Sequence, residues 1–235
     1  MTAFVLLPGL DGTPTLFEPL IDALAAPSTT VQYPDALPSD YEALLPHVLN
    51  ALPSDKPFIL LGWSFSGPLA LMAAATKPPG LLGVVLAASF VEKPLRSVPA
   101  FARFLLPSLA FRFSGSLAIA KTALAGAGTP ELNALLRRAH SSTSATVMAA
   151  RVRQVLTCDA RVELEACTTS ILYLGAEHDR LVPAHNADSI RTKNKRVQVR
   201  TIPGPHLALA MHAQEAASVL EEFAQECSRA DCAQS

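Results

Sequence analysis

Twenty consecutive residues, 57 to 76, carry no charged side chain. A run of about 20 apolar residues is long enough to cross a membrane as a helix. Here, however, Pro57, Gly62, Gly67 and Pro68 separate the strand-like run FILL from the helix-like run ALMAAA. The stretch therefore predicts a buried strand, a sharp turn and a buried helix, and we expect no membrane span.

Apolar runs bounded by turn residues recur along the chain and alternate with segments of helical character. This alternation predicts a parallel sheet with helices on both faces, joined by right-handed crossovers. The six predicted strands are residues 3–7, 30–33, 58–62, 82–88, 170–175 and 196–202. The predicted helices are residues 14–25, 40–52, 65–77, 184–193 and 209–228.

The composition of the strands predicts their places in the sheet. Runs 58–62 and 82–88 are apolar throughout, which is typical of strands covered on both faces, so we expect them in the middle. Run 196–202 alternates polar and apolar residues, which favours a position nearer an edge.

One region, about residues 90–168, breaks the alternation because it supplies far more chain than one crossover helix requires. We interpret it as a helical cap inserted into a single domain that spans residues 1–235. Its part from 93 to 130 has no acidic residue and combines apolar side chains with basic ones, which predicts a basic, apolar surface or lid. The basic residues are Lys93, Arg96, Arg103, Arg112 and Lys121.

Charge and cysteine content narrow the classes of function. Lys and Arg number 19 and Asp and Glu 20, which gives no strong general attraction to nucleic acid. The four cysteines form no C-x-x-C pair and are too few for a disulfide framework in 235 residues. The first residues also lack the basic start of a secretion signal. We therefore expect reduced thiols and a cytoplasmic protein.

The predicted turn reads GWSFSG and places Ser64 between two aromatic residues. A serine in a sharp turn between a central strand and the next helix projects its hydroxyl above the sheet, and the turn requires small residues two positions to either side. Those residues are Gly62 and Ser66. The usual last residue is glycine, so the Cβ of Ser66 must fit against the strand. The motif alone also allows the same turn without chemistry.

A serine nucleophile requires a base, and the base an orienting acid. Asp179 follows the fifth predicted strand and His206 the sixth. Because the carboxyl ends of parallel strands meet at one edge of a sheet, loops carrying Ser64, Asp179 and His206 can converge. Two other acids, Glu177 and Asp159, remain alternatives to Asp179.

Three motifs, GWSFSG, GAEHDRLVP and PGPH, resemble those of the α/β-hydrolase family, and the order Ser64, Asp179, His206 is the order in that family. The resemblance spans nearly the whole chain and puts the insert where the family has its variable cap. It implies that Ser64 attacks, His206 accepts and returns the proton, and Asp179 orients the imidazole, with neither a metal nor a cofactor. The family's acid shortly before Val-Pro favours Asp179 over Glu177.

The negative charge that develops on the substrate oxygen requires preformed donors. The resemblance predicts the backbone N–H of Phe65 as one donor and that of Leu10, after the first strand, as the other. Trp63 is predicted to contact the substrate, and the rings of Trp63 and Phe65 to wall the site.

The leading hypothesis is a serine carboxylesterase that cleaves esters of small to medium acyl groups through an acyl-enzyme. The basic insert raises the alternative of a thioesterase acting on acyl carrier protein or coenzyme A thioesters. A noncatalytic hydrolase-like protein that binds a ligand is the third hypothesis.

Overall fold

The computed structural model describes residues 2–95 and 129–233. Within these ranges the strands are β1 (Ala3–Leu7), β2 (Ser28–Thr30), β3 (Phe58–Trp63), β4 (Leu81–Ala87), β5 (Ser170–Ala176) and β6 (Gln198–Ile202). They form one sheet in the order β2-β1-β3-β4-β5-β6, and every neighbouring pair is parallel. The predicted six-stranded parallel sheet is confirmed.

Helices connect the strands. They are α1 (Glu18–Ala23), α2 (Tyr41–Ala51), α3 (Gly67–Ala75), α4 (Pro130–Ser141), α5 (Ala145–Thr157), α6 (Arg161–Ala166), α7 (His185–Lys193), α8 (Ala208–Met211) and α9 (Ala213–Cys232). Two 3-10 turns, Thr15–Phe17 and Ser64–Ser66, precede α1 and α3. No helix among the described residues has both the length and the apolarity needed to cross a membrane.

Strand β3 lies at the centre of the sheet and is buried along its whole length. Successive side chains of a strand point to opposite faces. Accordingly, Phe58 and Leu60 pack in the hydrophobic core on one face, and Ile59 and Leu61 pack in the core on the other. The prediction that this apolar run is a central strand is confirmed, as is the edge position of β6.

The helices cover both faces of the sheet. Buried residues of α2, α3, α6 and α7 belong to the first core, and those of α1, α4, α8 and α9 to the second. Two cores hold the sheet rigidly from both sides, so the loops at the carboxyl ends of its strands start from fixed points.

Several predicted boundaries differ from the structure by a few residues, and two differences have a clear physical reason. β2 ends at Thr30, because beyond it Tyr33 pairs with the loop after β1: its backbone N–H donates to the Gly12 carbonyl at 2.8 Å. The last predicted helix is divided at His212, whose backbone leaves the helical region with φ −120° and ψ 47°.

The two ends of the insert meet at the sheet. Glu92 and Asp159 form an antiparallel bridge, and the Ala160 N–H donates to the Val91 carbonyl at 2.6 Å. Helices α4, α5 and α6 form the returning part of the insert. Residues 96–128, which hold most of the predicted basic, apolar surface, lie outside the described residues, so the cap as a whole stays a prediction.

Candidate active site

Ser64 stands at the carboxyl end of the central strand β3, on the first residue of a 3-10 turn. Its φ of 52° lies in the left-handed region, which costs a residue with a Cβ roughly 1–3 kcal/mol and persists only where surrounding packing enforces it. Gly62 permits this turn: a Cβ on Gly62 would overlap the carbonyl group of Ser66, within 3.0 Å of its carbon.

Gly67 allows the turn to pack closely against the sheet, and it lies one position later than the glycine of the usual motif. A Cβ on Gly67 would overlap the side chain of Ser89 at the end of β4. Ser89 in turn donates its hydroxyl to the Ser64 carbonyl at 2.6 Å. The backbone of the turn at Ser64 is therefore held by a residue that follows the neighbouring strand.

Ser66 stands where the usual motif has glycine. Its side chain is accommodated because it is fully buried and its hydroxyl has two hydrogen-bond partners. Its hydroxyl bonds to the Pro8 carbonyl and lies 2.7 Å from the Tyr33 hydroxyl.

The loops after β5 and β6 are joined to each other by backbone hydrogen bonds. The Glu177 N–H donates to the Ile202 carbonyl at 3.0 Å, and the His178 N–H donates to the Gly204 carbonyl at 2.9 Å. The φ of Gly204 is +104°, a region that favours glycine, and the ring of His212 packs beside it. These contacts bring the loop of Asp179 alongside the loop of His206.

Ser64, His206 and Asp179 form one hydrogen-bonded line. His206 Nε2 lies 2.9 Å from Ser64 Oγ, and His206 Nδ1 lies 2.7 Å from Asp179 Oδ2. An ionised carboxylate can only accept, so Nδ1 carries the proton and Nε2 is left to accept from the serine. The His206 and Asp179 side chains are only 5% and 3% exposed, so water competes little for these bonds.

The carboxylate of Asp179 is held by its own loop. Its Oδ1 accepts from the N–H groups of Leu181 and Val182, both at 2.8 Å, which leaves Oδ2 for the histidine. Of the alternative acids, Glu177 is exposed. Asp159 is paired with Arg161, whose Nε lies 2.7 Å from Oδ1. Neither lies in the line with Ser64.

The loop between β1 and α1 is held through its carbonyl groups. Ser66 Oγ donates to Pro8, the Gly12 N–H donates to Gly9 at 3.1 Å, and Arg151 donates to Leu10 at 2.8 Å. The C=O and N–H of a trans peptide point in opposite directions. Fixing the Gly9 carbonyl therefore also fixes the direction of the Leu10 N–H, the predicted oxyanion donor.

Arg151 is a buried cation of α5 beside this loop, 1% exposed. Its guanidinium lies over the ring of Tyr33, 5.6 Å from the centroid, and fills the space that a Cβ on Gly12 would need. Burial lowers the pKa of Arg151 and raises the pKa of the neighbouring Asp11. Thr143 donates its hydroxyl to the Asp11 carbonyl, so two residues of the insert fasten the loop.

The two aromatic residues flanking Ser64 are core residues among the described parts of the chain. Trp63 is 2% exposed and packs against Phe17, with ring centroids 5.1 Å apart; its contact with substrate stays a prediction. The ring of Phe65 is fully buried and stacks on Tyr41 at 4.8 Å. The interpretation that the Phe65 ring walls the site was wrong, because that ring turns into the core.

The sequence reasoning missed Ser89, Tyr33 and Arg151. A serine directly after the apolar run of β4 is a polar residue at the carboxyl edge of the sheet, and that signal could have identified Ser89. Nothing in the local sequence marks Arg151, which reaches the loop only through the packing of α5.

A cleft of about 330 Å³ lies elsewhere, lined by Glu92, Asp159 and His185 among others. None of the residues in the hydrogen-bonded line contributes to it. Across residues 2–95 and 129–233, no cluster of three or more His, Cys, Asp and Glu side chains is placed to hold a metal ion.

Known proteins resemble the chain in sequence. The biotin biosynthesis bifunctional protein BioHC of Cellvibrio japonicus is 31% identical over 191 residues, which are 76% of this chain but only 38% of that protein. A pimeloyl-[acyl-carrier protein] methyl ester esterase of Xylella fastidiosa strain 9a5c is 27% identical over 243 residues, 94% of each chain.

Solved structures share the fold. An esterase from Exiguobacterium antarcticum superposes with a TM-score of 0.79 at 15% identity, covering 96% of this chain and 92% of the esterase. A bromoperoxidase from Bacillus anthracis also gives 0.79, at 18% identity, covering 95% and 92%. A model of the alpha/beta hydrolase family matches residues 4–221, and the chain therefore belongs to the alpha/beta hydrolase family.

Proposed function

We propose that this hydrolase is a serine carboxylesterase that cleaves esters of small to medium acyl groups through an acyl-enzyme. The observation that carries the proposal is the buried hydrogen-bonded line from Ser64 Oγ through His206 to Asp179. This geometry supports the proposal because acyl transfer requires a nucleophile, a base and an orienting acid joined in this order.

In the first half-reaction, His206 Nε2 accepts the Ser64 proton as Oγ attacks the ester carbonyl. Asp179 holds the Nδ1 proton and stabilises the imidazolium. The oxygen of the tetrahedral intermediate binds the N–H groups of Leu10 and Phe65, and its collapse expels the alcohol, which takes the proton from His206. Water then attacks the acyl-enzyme by the same steps, and the acid is released.

The curated relatives favour a particular kind of ester. The protein from Xylella fastidiosa is named for a methyl ester whose acyl chain is attached to acyl carrier protein. We propose that an acyl chain carried in this way, with the ester at its far end, is a substrate here too. A thioesterase remains the second candidate because 93–130, with its basic residues and no acidic ones, suits an anionic carrier.

We place the reaction in the reducing cytoplasm as part of the proposal. All four cysteines are unpaired, and three of them are buried, which supports a compartment without disulfide formation.

The nucleophile is tested with a fluorophosphonate, which bonds covalently to an activated serine and loses fluoride. Intact-mass measurement of the native enzyme should show one adduct, and peptide mapping should place it on Ser64. Ser64→Ala and His206→Ala should keep the fold and lose turnover, with a residual rate at most roughly a thousand- to ten-thousandfold above that in water. Absence of an adduct would favour the noncatalytic ligand-binding hypothesis.

The substrate is tested with matched oxygen esters and thioesters of the same acyl chain, and with a dicarboxylic methyl ester free or attached to acyl carrier protein. The proposal expects oxygen-ester hydrolysis and a higher kcat/KM for the attached form. Faster thioester hydrolysis, weakened by salt and by Arg103→Ala with Arg112→Ala, would support the thioesterase instead.

A further inference from the structure

The hydroxyl of Ser66 joins two parts of the site that are distant in sequence. We propose that Ser66 and Tyr33 are positioning residues. Together they hold the loop at 8–12 against the turn that carries the proposed nucleophile, so that the Leu10 and Phe65 N–H groups keep a fixed position and direction relative to each other. This inference rests on the proposed function, because both N–H groups matter only if an oxyanion forms between them.

The direction of each hydrogen bond follows from the chemistry of the groups. The Pro8 carbonyl can only accept, so the one proton of the Ser66 hydroxyl goes to it. The Tyr33 hydroxyl, 2.7 Å from Ser66 Oγ, must then donate its own proton to Ser66. The result is two consecutive hydrogen bonds, from Tyr33 to Ser66 and from Ser66 to Pro8, each made with a different proton.

Tyr33 also holds the other end of the same loop. Its backbone N–H donates to the Gly12 carbonyl at 2.8 Å, while the Gly12 N–H closes the turn onto Gly9 at 3.1 Å. Tyr33 thus reaches Pro8 through Ser66 and Gly12 directly. Between these two points lies the peptide whose N–H belongs to Leu10.

These two hydrogen bonds are shielded from water, which strengthens them and makes their removal strongly destabilising. Ser66 is fully buried and Tyr33 is 2% exposed. Burial raises the pKa of Tyr33, so the phenol remains a proton donor over the pH range in which an esterase works. Removing either hydroxyl leaves a buried acceptor without its donor, and the desolvation of that acceptor is then uncompensated.

The position of Ser66 explains why the bond bears on catalysis. Ser66 is the second residue after Ser64 and directly follows Phe65, so its main chain belongs to the same turn as one donor. Its side chain contacts the loop of the other donor. A glycine at this position, as in the usual motif, would make the turn but would leave the two donors without this link.

The test compares Tyr33→Phe, Ser66→Ala and Ser66→Gly with a control, Asn194→Ala. Asn194 is also buried, 6% exposed, and its side-chain amide donates to a buried carbonyl of α6, that of Leu164 at 3.0 Å. The control therefore loses buried hydrogen bonding that belongs neither to the loop at 8–12 nor to the turn at Ser64.

We expect Tyr33→Phe and both Ser66 variants to lower kcat by roughly ten- to a hundredfold with KM nearly unchanged, because the loss falls on the transition state. Affinity for an alkyl trifluoromethyl ketone, whose adduct with serine carries an oxyanion, should fall by the same factor. Asn194→Ala should also lower the midpoint of thermal unfolding but keep the wild-type kcat.

The outcomes separate the inference from the proposed function. A wild-type enzyme that neither takes the fluorophosphonate label nor cleaves esters overturns both. An active wild type whose Tyr33→Phe and Ser66→Ala variants lose stability but keep kcat and inhibitor affinity overturns this inference alone, and the two hydroxyls are then structural. Each variant is first checked for native circular dichroism, and Tyr33→Phe, which removes one oxygen atom, serves where Ser66→Ala fails to fold.

Discussion

At the scale of single residues, the site depends on which atom of each group is already engaged. Asp179 Oδ1 accepts two backbone N–H groups, which leaves Oδ2 to accept from His206. The hydrogen bond to Oδ2 therefore sets the tautomer of the histidine. It makes Ser64 the donor to Nε2, which is the arrangement that the proposed attack by Ser64 requires.

Asp179→Asn should therefore be far more damaging than its small change in shape suggests. The amide oxygen must face the N–H groups of Leu181 and Val182, so the amide NH₂ faces His206 Nδ1. The ring then carries its proton on Nε2 and cannot accept from Ser64. We expect kcat to fall by roughly ten-thousandfold, measured with a p-nitrophenyl ester.

Glu177→Gln is the matched control, since it alters an exposed acid two residues away in the same loop. It should keep nearly full activity. A large loss in Glu177→Gln together with a small loss in Asp179→Asn would show that the orienting acid has been assigned to the wrong residue.

At the scale of elements, the turn at Ser64 is a place where strand and helix approach too closely for ordinary side chains. Gly62 and Gly67 both lack room for a Cβ, the first against the Ser66 backbone and the second against Ser89. The packing that enforces the left-handed Ser64 comes from β3, β4 and α3 together. The same packing thus sets both the stability of this turn and the position of the Ser64 hydroxyl.

Gly62→Ala should lower the free energy of unfolding by about 1–3 kcal/mol, because the added methyl group overlaps main-chain atoms that cannot move aside cheaply. Urea denaturation at equilibrium measures the change. Gly9→Ala is the control for stability: its Cβ would meet only Asp11 Oδ1, at an ordinary 3.6 Å. Equal stability in the two variants would mean that the turn relaxes without cost.

At the scale of the whole molecule, two cores enclose the sheet and remove polar and ionisable groups from water. Three cysteines lie in these cores, Cys158, Cys167 and Cys227, whereas Cys232 near the end of α9 is exposed. Burial raises the pKa of all three, that of Cys227 to about 11. Thiolate, the reactive form, is correspondingly scarce at these positions near neutral pH.

We therefore expect iodoacetamide at pH 8 to modify Cys232 alone in the native protein and all four cysteines after unfolding in guanidinium chloride. Mass spectrometry of the intact protein and its peptides counts the adducts. Cys232→Ser should abolish labelling of the native state. Modification of Cys158 or Cys227 as fast as that of Cys232 would contradict the burial of those thiols.

The sequence by itself determined the layered fold and the loops that carry Ser64, His206 and the acid, while the preference for Asp179 over Glu177 came from the family resemblance. Strand runs such as FILL and the turn residues around Ser64 are local signals. Because the carboxyl ends of parallel strands share an edge, the convergence of these loops followed from the order of the elements. The tertiary structure alone decided which groups hold the loop at 8–12. Tyr33, Arg151 and Ser66 reach that loop through packing between segments far apart in the chain, and side-chain contacts of that kind leave no periodic trace in a sequence.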